Sequence, residues 1–166
     1  MQIIIDASIN TLQKTNVLLR ELSDMHLCDN STPPYFSSIG SHIRHILDFY
    51  DCIFSQNNNI VDLTLRKRDK NAENNCNVAL QYLESIISQL KKLEYKDDME
   101  LIVVDDLGTG KIEIKYTMSS LLAQANSHTI HHYAIINYIL QGLNLPINDD
   151  TFGYNPTTPR NITMNQ

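Results

Sequence analysis

At 166 residues, with 42% apolar and 19% charged side chains, the chain is long enough to bury one core and too apolar to stay disordered. Lys and Arg number 13 against 19 Asp and Glu, and the net charge of -6 argues against a nucleic-acid backbone as partner. No run approaches the roughly 20 apolar residues of a membrane span, and Met1 to Asp6 carries no basic leader. The three cysteines, Cys28, Cys52 and Cys76, are widely spaced and read as free thiols of a reduced, cytoplasmic protein.

Four segments carry a helical period. The first runs from about Asp6 to Met25, with Ile5, Ile9, Leu12, Leu19 and Leu22 near one stripe, and a polar loop ending at Pro33-Pro34 stops it. The second, from near Ser37 to about Gln56, buries Ile39, Ile43, Ile46, Tyr50 and Ile53; Arg44, Asp48 and Asp51 fall on the opposite side and read as surface charge. Asn57-Asn58-Asn59 reads as a loop, and Arg66-Lys67-Arg68, followed by Asp69, as a solvated loop or helix start. The third helix, roughly Asn71 to Leu93, has the cleanest stripe: Ala79, Tyr82, Leu83, Ile86, Leu90 and Leu93.

The period then changes. Leu101 to Val104 is rich in β-branched residues, Lys111 to Tyr116 alternates strictly, and Asp106-Leu107-Gly108-Thr109-Gly110 between them is turn chemistry, which predicts a β-hairpin. The last helix spans about Thr117 to Gln141, with Gly142 as its C-terminal cap. A proline-containing tail follows, with Phe152 and Tyr154 as the side chains to fasten it. Four amphipathic helices hide their stripes most economically against one another, so the expectation is an all-α four-helix bundle over residues 1–145, a small β-hairpin between helices 3 and 4, and an irregular tail over 146–166.

The chemistry sits in histidines. At about 100° per residue, His128 and His132 fall near the centre of one face of the last helix, beside Leu121, Ala125, Ile135 and Ile139, with His131 at its flank. An unpaired buried polar group costs on the order of 1–3 kcal/mol, and a metal ion relieves two such imidazoles at once. Gln124, one turn before His128, is a candidate polar group of the same pocket. On the second helix His42 lies within the apolar arc and His45 at its edge; the wheel slightly favours His42, and both stay open as a third ligand.

These residues resemble the DinB/YfiT-like superfamily of metal-binding four-helix bundles. The likeness is carried by His45-Ile46-Leu47-Asp48 on the second helix and the His-x-x-x-His pair His128 and His132 on the fourth. It implies a three-histidine site of His45, His128 and His132, with His42 as the alternative ligand and Asp48, Gln124 or His131 beside it. It also implies a divalent ion (zinc, nickel or iron), open coordination positions, and a homodimer. The implied activity is that of a thiol-dependent S-transferase using a low-molecular-weight thiol, or of a hydrolase using metal-activated water. A non-catalytic, stress-related metal-binding bundle is the alternative.

Overall fold

The computed structural model describes residues 1–93, 98–145 and 147–159. Along the chain these form α1 (Gln2–Glu21), α2 (Asp24–Cys28), α3 (Ile39–Phe54), β1 (Ile60–Asp62), α4 (Lys70–Asn74), α5 (Cys76–Lys91), β2 (Glu100–Asp106), β3 (Lys111–Thr117) and α6 (Met118–Gly142). Helices α1 and α3 each pack against both α5 and α6, and Leu12, Leu19, Ile43, Leu83, Leu121 and Ile136 are buried where they meet.

The expected all-α bundle with a hairpin between its third and fourth helices is corrected by this architecture. Six helices and a three-stranded mixed sheet are present among the described residues. Two of the predicted helices are broken by residues that adopt extended backbone. Leu22 ends α1 at φ -84°, ψ 150°, and Ser23 then caps α2 by accepting from the His26 amide. Asn75, at φ -139°, ψ 119°, closes α4 and opens α5, its side chain accepting from the Val78 amide. Nor is the hairpin a free insertion. β2 pairs antiparallel with β3, but also parallel with β1, in register Val61 to Val103. A parallel pair needs a crossover, and here the segment carrying α4 and α5 supplies it. Alternation along the sheet turns Val61, Leu63, Leu101 and Val103 inward, all buried, and sends Asp105 to the same face.

Helix α3 is not one-sided. Ile46, Leu47, Asp48, Phe49 and Tyr50 are all buried, and five consecutive residues cover every direction of a helix. The expectation that Asp48 points to solvent is therefore wrong: its side chain is fully buried. It accepts from Arg44 Nη1 at 2.9 Å, the Arg68 amide at 3.2 Å and the Tyr82 hydroxyl at 3.1 Å. Arg44 also faces Glu73 at 3.5 Å. This polar cluster lies where α4 crosses α3, an approach that requires glycine at position 40. A Cβ there would stand 1.9 Å from the Glu73 carbonyl oxygen.

Gly142 is not the cap it was expected to be. It is the last residue of α6, and the positive φ that ends the helix, 56°, belongs to Asn144. Glycine is needed at 142 because a Cβ would meet Thr32 Cγ2 at 2.6 Å. Within the tail Phe152 is buried and stacks on Tyr133, ring centroids 4.5 Å apart, whereas Tyr154 is exposed. Position 146 and residues 160–166 of the predicted tail lie outside the described residues. Among the described residues no helix is long and apolar enough to cross a membrane.

Removing the Asp48 carboxylate strands Arg44 and the Arg68 amide in a buried site. Asp48→Ala is expected to lose about 3–5 kcal/mol of stability, measured by urea denaturation, the scale seen when one partner of a buried pair is deleted. A loss below about 1 kcal/mol, the worth of an exposed pair, would contradict the burial described.

Candidate metal centre

The packed faces of α3 and α6 bring four histidines into one seam. Ser38 opens α3 by accepting from the Ser41 amide, and Thr117 with Ser120 forms a capping box at the start of α6. Both helix starts are thus fixed, which sets where His45 and the His128/His132 pair face each other. His128 Nε2 lies 2.9 Å from His45 Nε2 and 3.1 Å from His132 Nε2. One nitrogen from each of these three rings falls within 4.8 Å of the other two. Three nitrogens held about 2.0–2.1 Å from a common ion at tetrahedral angles stand roughly 3.3 Å apart. The 2.9 and 3.1 Å distances are close to that spacing, and the set of three lies within range of a common ion.

Hydrogen-bond counting makes the same point. Each neutral imidazole nitrogen has either one N–H or one in-plane lone pair. Without a cation, the single His128 Nε2 lone pair would have to accept from both His45 and His132, or two lone pairs would face each other. A central cation receives all three lone pairs.

His42 takes a different place from the one the helical wheel suggested. Its Nδ1 lies 2.9 Å from Nδ1 of His132, and its Nε2 lies 2.8 Å from Ser37 Oγ. It backs His132 and is absent from the cluster of three. With His132 Nε2 given to an ion, its Nδ1–H donates to His42 Nδ1 and His42 Nε2–H donates to Ser37, so every site in that chain has a partner. Asp48 makes no contact with His45; Arg66 does, donating from Nη1 to His45 Nδ1 at 3.2 Å. His131 is exposed, its ring centroid 5.3 Å from that of His132.

A cleft of about 160 Å³ opens beside these rings, walled by His45, Phe49, Leu63, Arg66, Asp105, Gln124 and His128. Gln124 is thus in the cleft wall, as an exposed residue. A larger and more apolar concavity, 690 Å³ between Thr32–Ser37 and the end of α6, touches none of the histidines. In the sequence Arg66 reads only as part of a solvated basic run and Ser37 only as a helix start, and Asp105 is not singled out, because loop and strand-end residues carry no periodic signal.

Burial, followed by the neighbouring His128, pushes His45 down to about 4. Burial, then His128 and His45, pushes His132 to about 2. Burial also lowers His42 and His128. All four rings are therefore neutral at pH 7, the state in which imidazole binds metal. The buried thiols Cys52 and Cys76 are raised by burial to about 11, so neither supplies a thiolate at neutral pH.

No family model, curated protein or solved structure matches the chain. The likeness to the DinB/YfiT-like superfamily rests on the histidine motifs alone.

The lowered histidines fix a pH dependence. Unfolded histidines titrate near 6.5, so below that pH the unfolded chain binds protons that the folded His45 and His132 refuse down to about 4 and about 2. Stability present above the unfolded value is lost as pH falls. Thermal melts in chelator should show Tm falling steadily from about pH 7 to about pH 4, with a flatter profile in His132→Gln. Identical profiles for the two proteins would show that the seam does not hold its histidines neutral.

Proposed function

We propose that this chain is a metal-dependent enzyme whose His45, His128 and His132 hold one divalent cation, either zinc, nickel or iron. The reaction we assign is S-transfer from a low-molecular-weight thiol, or hydrolysis. The observation that carries this reading is the convergence of three neutral imidazoles, two of which, His45 and His128, wall a small cleft. All-imidazole ligation suits these metals. Three protein ligands, not four, are the count of sites that leave a coordination position for substrate or water. The order of the histidines along the chain supports kinship with the DinB/YfiT-like superfamily, to which the same three-ligand pattern belongs.

The cation's contribution is Lewis acidity, which lowers the pKa of a thiol or water beside it so that the nucleophilic anion exists at neutral pH. The chain's own residues do the rest. The His132–His42–Ser37 chain fixes the tautomer and ring plane of His132. Phe49, whose ring centroid lies 5.2 Å from that of His128, and Leu63 give the cleft an apolar wall that excludes water from one side. Gln124 offers an amide to orient a bound molecule, and the exposed His131 ring stands 5.3 Å from that of His132.

Elemental analysis of untagged protein should find about one metal per chain, lost in both His128→Ala and His132→Ala. His42→Ala should keep the site but weaken metal affinity about 10- to 100-fold. Full metal content in the His128 and His132 variants would overturn the assignment. Tight binding with strong thermal stabilisation, but no turnover of any thiol or ester, would make the centre structural and the protein non-catalytic.

A further inference from the structure

Arg66 stands out among the cations near the centre. Arg44 is held by Asp48 and Glu73, Lys67 by Asp51 at 2.9 Å, and Lys111 by Asp62 at 3.4 Å. Half-buried Arg66 has no carboxylate within 4.0 Å among the described residues, although Asp105 lines the same cleft. Its Nε is buried without a hydrogen-bond partner, and its one side-chain hydrogen bond goes to His45 Nδ1. A guanidinium presents five N–H donors in a fork that matches a carboxylate bidentately, so most of this donor set is unspent.

The bond to His45 is itself provisional. Arg66 can only donate, so His45 Nδ1 accepts and its proton sits on Nε2. When Nε2 gives its lone pair to a cation, the proton moves to Nδ1 and two donors face each other. An ion held by His45 would thus leave the guanidinium, already in the cleft wall, without that partner. An arginine without a carboxylate, freed beside a Lewis-acidic centre, is an anion-binding group.

We propose that Arg66 anchors a carboxylate on the small molecule that binds at the His45/His128/His132 centre, setting specificity for a short, carboxylate-bearing substrate. A cleft of about 160 Å³ admits only a few heavy atoms beyond the one directed at the ion. Metal-directed atom and carboxylate are then separated by two or three bonds' length, not by the body of a large ligand. This inference rests on the metal-centre reading above.

The test uses cobalt(II)-loaded full chain titrated with 3-mercaptopropionate and with 2-mercaptoethanol, which has a neutral hydroxyl in place of the carboxylate. The sulfur-to-cobalt charge-transfer band reports binding. Comparing the ratio of the two affinities between proteins cancels the intrinsic difference between the thiols. The wild-type ratio should favour 3-mercaptopropionate by about tenfold over that of Arg66→Gln, with Arg66→Lys between them because it keeps the charge and loses the fork. Cobalt uptake with ligand-field bands shows that each variant retains a folded centre. Equal ratios in wild type and Arg66→Gln, with cobalt bound in both, would overturn the role of Arg66 and leave the metal centre standing. Failure of wild type to take up cobalt would overturn the metal-centre reading and this inference with it.

Discussion

Four imidazoles share the seam between α3 and α6, with contacting ring centroids 4.5 to 5.1 Å apart. Two of them charged at that distance would repel by roughly 3–4 kcal/mol even at an effective dielectric of 20. Helix packing and protonation state are therefore one question: α3 and α6 can approach this closely only while the rings are neutral, and their approach keeps the rings neutral by removing water. The same packing brings one ring nitrogen from each of His45, His128 and His132 within 4.8 Å of the other two, a spacing within the range of a metal site. The position of the cleft, the role of His42 and the isolation of Arg66 follow from that arrangement.

The rest of the fold insulates the seam from its own charges. Asp48 is only three residues from His45, yet its carboxylate is engaged on another side of α3, by Arg44, the Arg68 amide and Tyr82. A free carboxylate against the rings would have raised their proton affinity; tied up as it is, it fastens α5 and the loop before α4 to α3. That loop runs from Leu63 to Asp69, so the ionic cluster at one end positions the cleft wall at the other. The sheet contributes through its inward face, where Leu63 and Asp105 continue the line of Val61 and Val103 to the cleft.

What the sequence disclosed depended on regular spacing. His128 and His132, one helical turn apart amid apolar residues, were legible as a pair. The choice between His42 and His45 was not settled by periodicity, because both lie on the α6 side of α3: one ring faces the other histidines through Nε2, and the other backs His132 through Nδ1. Asp48 was misread because a helical wheel assumes one buried face, and α3 is enclosed by α4, α5 and α6 together. The helix breaks at Leu22 and Asn75 carry no glycine or proline, and β1 is three residues long, below the reach of any alternation signal. The change from bundle to mixed helix-and-sheet architecture hangs on that short strand.

The parallel pairing of β1 with β2 has a kinetic side. Ile60 and Ile102 cannot meet until α4 and α5 have folded back across the intervening chain, so this contact must close the whole crossover loop. The hairpin of β2 and β3, by contrast, closes locally. Leu63 and Arg66 follow β1 directly, so the outer wall of the cleft is tied to that strand. By the same logic a local opening that detaches β1 would uncover the centre while leaving the helices that carry its histidines in place. Such an opening would expose the three imidazoles to solvent without requiring the protein to unfold.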